Sequence, residues 1–195
     1  GDHTVVLPIL RAMHRQHGPV GLVHIDAHAD VNDEMFGERI THGTPFRRAV
    51  EEGLIDCSRA VQIGLRATGS ARQEEYEAAK AYGAHLIPAY ELHDVGIDAI
   101  LARIPSGGRY YLTVDMDGMD PGVAPAVAAP MPGGVTYLQA RKLIHGLIKK
   151  GRVVGMDVVE ITPRHDVNQI TCITAGRLIT NLIGMAVRAG YFDKR

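Results

Sequence analysis

Short apolar runs alternate with longer amphipathic stretches along the whole chain. The runs are rich in β-branched residues and are bounded by glycine or proline, which predicts strands. The longer stretches space their apolar residues at helical intervals, which predicts helices. The predicted strands cover residues 20–25, 60–65, 85–87, 110–114 and 152–159. The predicted helices cover residues 4–16, a segment from Pro45, 70–82, a segment within 94–104, 136–150 and 173–189.

This alternation predicts an α/β protein with three layers (α/β/α), in which helices cover both faces of a mostly parallel sheet. No repeat, low-complexity tract or linker interrupts the 195 residues, so we expect residues 1–195 to form a single domain. Asp26, Asp115 and Glu160 each stand just past the end of a predicted strand. Ligands bind at the carboxyl edge of such sheets, and we therefore expect a functional site there.

The composition is that of an ordinary soluble globular protein, with 46% hydrophobic residues. Basic and acidic residues nearly balance, 21 against 22, which argues against a nucleic acid or a membrane as partner. The two cysteines, Cys57 and Cys172, form no recognisable framework, and no apolar run is long enough to span a membrane. We therefore expect a cytoplasmic protein without structural disulfides.

The most informative polar stretch is Asp-Ala-His-Ala-Asp at 26–30, directly after the first predicted strand. Asp26, His28 and Asp30 alternate with alanine, so in an extended chain their side chains point to one face. Two carboxylates and an imidazole that converge there would repel each other and be poorly solvated. A bound divalent cation removes both costs, and the spacing therefore favours a metal site.

A second acidic pair, Asp115 and Asp117, repeats this arrangement at the end of the strand 110–114. Together with Asp26 and Asp30, the pair offers a charge of −4, which two divalent cations would cancel and one would not. A binuclear site is therefore favoured. Carboxylate and imidazole ligands suit Mn²⁺, whereas a zinc site built on thiolates would need nearby cysteines.

Three segments resemble the signatures of the ureohydrolases, the arginase/agmatinase family. They are Gly-Asp-His at 1–3, Asp-Ala-His-Ala-Asp at 26–30 and Thr-Val-Asp-Met-Asp-Gly-Met-Asp-Pro at 113–121. Residues 30–37 and 42–46 resemble the agmatinase and guanidinobutyrase branch of the family. Ureohydrolases are longer than this chain and carry a segment before Gly-Asp-His. The resemblance therefore implies an arginase-like domain that lacks its N-terminal segment.

The resemblance implies two Mn²⁺ ions, with Ni²⁺ as the alternative metal. The ligands of the first ion would be His3, Asp26, Asp30 and Asp115. The ligands of the second ion would be Asp26, His28, Asp115 and Asp117. Asp26 and Asp115 would thus bridge the two ions.

Four residues receive catalytic or substrate-binding roles from the same resemblance. Asp30 would take part in catalysis as well as in metal binding. His42 falls where the family keeps a mobile histidine, and a loop histidine that titrates near neutral pH can protonate a leaving amine. Glu160 would hold the substrate guanidinium, because a carboxylate can accept two parallel N–H bonds from that planar group. Asn32 matches a polar residue with which arginase selects the head of its substrate.

The implied reaction is hydrolysis of a small cationic guanidino substrate, agmatine or 4-guanidinobutanoate, to urea and an amine. Glu38, four residues before His42, would repel the α-carboxylate of arginine. The family also implies a homo-oligomer, a trimer or a hexamer. Two alternatives stay open: a single-zinc, deacetylase-like hydrolase of the same fold, and a non-catalytic partner subunit of an active homologue.

Overall fold

A five-stranded parallel sheet forms the centre of the computed structural model, which describes residues 1–67 and 73–193. The strands are β1 Val20–Ile25, β2 Ile55–Leu65, β3 His85–Pro88, β4 Arg109–Asp115 and β5 Arg152–Val159. They lie in the order β3-β2-β1-β4-β5, and every pairing is parallel. The sheet therefore confirms the predicted α/β class.

Helices cover both faces of the sheet. The described residues form α1 Val6–His17, α2 Pro45–Glu51, α3 Gln73–Ala81, α4 Ala89–Arg103, α5 Tyr137–Lys150 and α6 Ile170–Arg188. The helices α1, α2 and α3 bury apolar side chains such as Leu10 and Phe46 against one face. The helices α4, α5 and α6 bury Ile100, Leu143 and Leu178 against the other. This arrangement confirms the three predicted layers.

The strand β2 and the helix α4 begin earlier than the hydrophobic pattern predicts. The strand β2 begins at Ile55 rather than residue 60, because Ile55 pairs with Val20 of β1. The helix α4 begins at Ala89 and bends at Gly96, whose φ of 75° lies in the left-handed region. Helical periodicity is interrupted at that bend, which explains why the sequence predicts a helix only within 94–104.

The last helix, α6, begins at Ile170, about one turn earlier than predicted. It is the one helix within residues 1–67 and 73–193 that is long and apolar enough to cross a bilayer, by length and composition only. Core helices of soluble proteins meet the same criterion, and α6 packs along α5, so no membrane assignment follows. The predicted start of the third helix at Ser70 lies outside the described residues.

The carboxyl ends of β1, β4 and β5 meet at one edge of the sheet because their pairings are parallel. Asp26 directly follows β1, Asp115 ends β4 and Glu160 directly follows β5. After β4 the 3₁₀ turn Met116–Gly118 folds the chain back, and the Asp115 carboxylate caps it by accepting the N–H of Asp117 at 2.8 Å. The turn thus returns Asp117 to the edge of the sheet that carries Asp26.

Candidate metal centre

His3 lies at the centre of a buried group of carboxylates. Its Nδ1 atom lies 2.9 Å from Asp30 Oδ2, 3.3 Å from Asp26 Oδ2 and 3.4 Å from Asp115 Oδ2. The imidazole is fully buried, yet Nδ1 has no hydrogen-bond partner of acceptable geometry among the described residues. A buried nitrogen that faces three carboxylate oxygens without a well-formed bond to any of them fits ligands that share a cation.

A second group adjoins the first at Asp26. His28 Nδ1 lies 3.2 Å from Asp117 Oδ2 and 3.4 Å from Asp26 Oδ1. Asp26 therefore turns one oxygen towards His28 and the other towards His3. The candidate ligand atoms of His3, His24, Asp26 and Asp30 lie within 4.8 Å of one another, and so do those of Asp26, His28 and Asp117. Five of the predicted ligands thus converge on two adjacent positions that could hold metal ions, whereas Asp115, predicted to bridge them, belongs to neither of these groups.

The electrostatics of this cluster also fit bound cations. Burial and the charge of Asp26 raise the pKa of Asp30 to about 7, and they raise the pKa of Asp115 well above its usual range. Burial alone would lower the pKa of His28, but the carboxylates of Asp117 and Asp26 raise it to about 11. The cluster therefore gathers positive charge at its centre, whether as protons or as divalent cations.

Two residues of the site have backbone conformations that side chains rarely adopt. The φ angles of Asp30 and Glu160 are 54° and 60°, in the left-handed region. Glu160 also makes two contacts with the first residues of the chain: its N–H donates to Gly1 O at 3.1 Å, and its Oε1 accepts the N–H of His3 at 3.0 Å. Glu160 therefore joins the end of β5 to the histidine–aspartate cluster. Backbone conformations of this kind are common at functional sites.

A cavity of about 270 Å³ opens beside the cluster. The three residues predicted to bind substrate all line it: Asn32, His42 and Glu160. His42 is exposed, and its ring lies 6.3 Å from that of Phe36. Asn32 Nδ2 donates to Gly43 O at 3.1 Å and so holds the loop next to His42. The structure therefore brings the predicted metal and substrate residues together around one space.

Sequence reasoning missed several residues that border the site. Glu75 of α3 is buried and lines the cavity, and nothing in its helical pattern indicates this position. His24 is fully buried, with Nε2 at 2.6 Å from Asp26 Oδ2 and Nδ1 at 3.0 Å from the side-chain nitrogen of Gln62. A signal for this pair exists in the sequence, because histidine and glutamine are uncommon inside buried strands.

Arg66, which sequence reasoning also missed, holds the turn that carries Asp117. Its guanidinium donates to the carbonyl oxygens of Asp117 at 2.7 Å and Gly118 at 3.2 Å. It also donates to the carbonyl oxygen of Met131 at 2.6 Å. A charged donor makes stronger hydrogen bonds than a neutral one, so Arg66 connects the turn after β4 firmly to the loop 121–134.

Replacing Arg66 by Met is expected to lower the free energy of unfolding by about 3 kcal/mol, because half-buried carbonyl oxygens lose a charged donor. Urea unfolding of the two proteins measures the difference. Arg11→Met is the matched control, since Arg11 bonds the Glu52 carboxylate at the surface and its loss should cost at most about 1 kcal/mol. Equal costs for the two variants would contradict the role given to Arg66.

The parallel sheet, its helical layers and the histidine–aspartate cluster at the carboxyl edge define an α/β protein with a candidate metal centre. The model of the arginase family matches residues 1–184. The chain therefore belongs to the arginase family, which confirms the resemblance found in its sequence.

Individual relatives and solved structures agree with this family. The chain is 45% identical over 186 residues to a guanidinobutyrase of Pseudomonas aeruginosa, covering 94% of this chain and 58% of that protein. It is 41% identical over 186 residues to a mitochondrial agmatinase of Gallus gallus, covering 94% and 54%. A solved proclavaminate amidino hydrolase from Streptomyces clavuligerus superposes with a TM-score of 0.89 at 35% identity, over 97% of this chain and 63% of the other. The chain thus spans little more than half the length of these two curated relatives.

Proposed function

We propose that the protein is a binuclear-metal hydrolase that cleaves the guanidino group of a small linear compound to urea and an amine. The observation that carries this proposal is the sharing of Asp26 between two candidate metal positions, one beside His3 and one beside His28. The adjoining cavity, lined by Glu160 and His42, supports it. The names of the relatives, guanidinobutyrase and agmatinase, support a guanidino compound as the substrate.

In this proposal two Mn²⁺ ions, or two Ni²⁺ ions, occupy the cluster. The first would be held by His3, Asp26, Asp30 and Asp115. The second would be held by Asp26, His28, Asp115 and Asp117. Two divalent cations at these positions would acidify a water molecule and so supply hydroxide as a nucleophile near neutral pH. Asp30 borders the cavity as well as the cluster, a position from which its carboxylate can accept a proton during attack.

Glu160 and His42 act on the substrate in this proposal. Glu160 Oε1 is held by the N–H of His3, and the carboxylate keeps acceptor sites for the planar N–H groups of a guanidinium in the cavity. His42 lies on the exposed side of the same cavity, where it can exchange protons with solvent. It would donate a proton to the leaving amine, because without that proton the amine is a strongly basic and therefore poor leaving group.

The far end of the substrate distinguishes the two candidates, since agmatine ends in an amine and 4-guanidinobutanoate in a carboxylate. Glu38, whose charge predicts rejection of arginine, is exposed and is not among the described residues that border the cavity. Its position therefore gives no structural reason to reject arginine. We retain agmatine and 4-guanidinobutanoate on the strength of the relatives. The homo-oligomeric state and the cytoplasmic location stay predictions.

Urea release from a panel of guanidino compounds tests the proposed reaction. With Mn²⁺ or Ni²⁺ present, we expect agmatine or 4-guanidinobutanoate to react at least about 10-fold faster than arginine, 3-guanidinopropanoate and guanidine, because a pocket fits one chain length and one end group best. Glu160→Gln keeps the size of the side chain and should lose most of this turnover. Absence of urea from every compound with either metal would overturn the substrate class.

The metal content of the purified protein distinguishes the proposal from its alternatives. Two divalent ions per chain support the binuclear hydrolase. One zinc ion per chain supports the single-zinc, deacetylase-like hydrolase, whose chemistry needs only one metal with an open position. A chain that binds no metal supports the non-catalytic partner subunit.

A further inference from the structure

A row of polar residues crosses four neighbouring strands next to the metal cluster. The successive cross-strand partners are Gln62 of β2, His24 of β1, Thr113 of β4 and Asp157 of β5. Strands of a parallel sheet that helices cover on both faces are usually apolar, so this row is an exception. His24 lies two residues before Asp26, and Thr113 lies two residues before Asp115. The row and the cluster therefore share one face of the sheet.

Thr113 and Asp157 of this row form a hydrogen-bonded group with Tyr111 of β4. We call these three residues the positioning triad. The Tyr111 hydroxyl donates to Asp157 Oδ2 at 2.7 Å, and the Thr113 hydroxyl donates to Asp157 Oδ1 at 2.7 Å. Thr113 Oγ1 also lies 2.8 Å from Nε2 of His3. Tyr111, Thr113 and His3 are fully buried, whereas Asp157 is half-buried.

The carboxylate of Asp157 fixes the direction of these hydrogen bonds. A carboxylate accepts and does not donate, so the single hydroxyl proton of Thr113 points to Asp157. The oxygen of Thr113 is then free only to accept, and it accepts the N–H at Nε2 of His3. In the neutral imidazole, Nδ1 of His3 then carries the lone pair, and this is the atom that faces the three carboxylates of the cluster.

We propose that Tyr111, Asp157 and Thr113 are positioning residues for His3, which hold its imidazole in the tautomer whose Nδ1 can bind a metal ion. This inference rests on the proposed function only in that the cluster binds metal. A histidine that ligates a metal usually donates its second N–H to an acceptor, and loss of such a partner typically costs about 10–100-fold in metal affinity. The effect falls on the metal position beside His3, because the triad bonds His3, whereas His28 lies beside Asp26 and Asp117.

Titration with Mn²⁺ tests this proposal on the variants Thr113→Val and Thr113→Ser. Valine has the shape of threonine without its hydroxyl. We expect one of the two Mn²⁺ binding steps to weaken by about 10–100-fold in Thr113→Val, while the other changes little. Serine restores the hydroxyl, so Thr113→Ser should recover most of the lost affinity. Loss of the paramagnetic resonance signal of free aqueous Mn²⁺ follows binding without any need for turnover.

Thr174→Val is the matched control for Thr113→Val. Thr174 is also buried, and its hydroxyl also donates to an oxygen, the carbonyl oxygen of Val123 at 2.9 Å. Its loss should cost a similar amount of stability and leave both binding steps unchanged. Unchanged Mn²⁺ binding in Thr113→Val, equal weakening of both steps, or failure of serine to restore affinity would each overturn the role of the triad.

The unmodified chain distinguishes a failure of this proposal from a failure of the proposed function. If the chain binds two Mn²⁺ ions but releases no urea, the substrate assignment fails, and the Thr113 variants still decide the role of the triad. If it binds a single ion, the binuclear assignment fails, and the variants decide the role of the triad on that ion. If it binds none, both proposals fail.

Discussion

Replacing Asp115 by Asn is expected to abolish both metal binding and urea release. Asp115 Oδ1 accepts the N–H of Asp117, its Oδ2 faces Nδ1 of His3 at 3.4 Å, and we propose that this carboxylate bridges the two ions. Asparagine keeps the size of the side chain but removes its charge and one oxygen ligand. Losing a ligand that two ions would share in the proposed site should reduce affinity by more than the about 10–100-fold typical of a residue that only supports a ligand.

Asp120→Asn is the matched control for Asp115→Asn. Asp120 belongs to the same acidic segment, but its carboxylate accepts the backbone N–H groups of Gly122, Gly133 and Gly134 and so holds a loop. Elemental analysis should find no metal in Asp115→Asn and the unmodified metal content in Asp120→Asn, with urea release assayed on both. Full activity in Asp115→Asn would exclude the binuclear proposal.

Gly118→Ala should both destabilise the fold and disturb the candidate metal centre. A Cβ atom at residue 118 would lie 2.6 Å from the backbone nitrogen of Asp26 and 2.7 Å from its Cα. Backbone atoms at the end of a buried strand cannot move out of the way as a flexible side chain can. The turn after β4 must therefore move away from β1. Overpacking costs about 1–3 kcal/mol, and the rigid neighbours place this variant at the upper end. The same movement separates Asp117, which the turn carries, from His28.

Urea unfolding and Mn²⁺ titration measure the two effects of Gly118→Ala. Gly176→Ala is the control, because residue 176 lies within α6 and no described heavy atom outside its helix lies within 4 Å of the added Cβ. Alanine is a better helix former than glycine, and this control should gain up to about 1 kcal/mol. Unchanged stability and unchanged Mn²⁺ affinity in Gly118→Ala would contradict the close packing of the turn against β1.

The sequence is sufficient to predict the parts of the site that follow from strand ends. Parallel pairing brings the carboxyl ends of all strands to one edge, so Asp26 and Asp115 could be placed together without knowledge of the strand order. The alternation of residues 26–30 likewise determines which side chains share a face. These inferences depend only on the local alternation of residues along the chain, and for that reason the structure agrees with them.

Contacts that depend on tertiary packing could not be predicted in this way. Thr113 lies beside Asp157 because β4 and β5 pair in one of several registers that their apolar patterns allow. Glu75 and Arg66 reach the site through the packing of α3 and of the chain after β2, which no local pattern reveals. The bend at Gly96 hides the beginning of α4 for a different reason, since a glycine in the left-handed region breaks the period itself.

The hydrogen bond between His3 and Glu160 would link metal binding to completion of the fold. It joins residues that are 157 positions apart. A contact between such distant parts of a chain closes a long loop, which costs conformational entropy. The proposed ligand set is therefore complete only when residues far apart in the chain have met. Metal bound there would add its binding free energy to the stability of the native state.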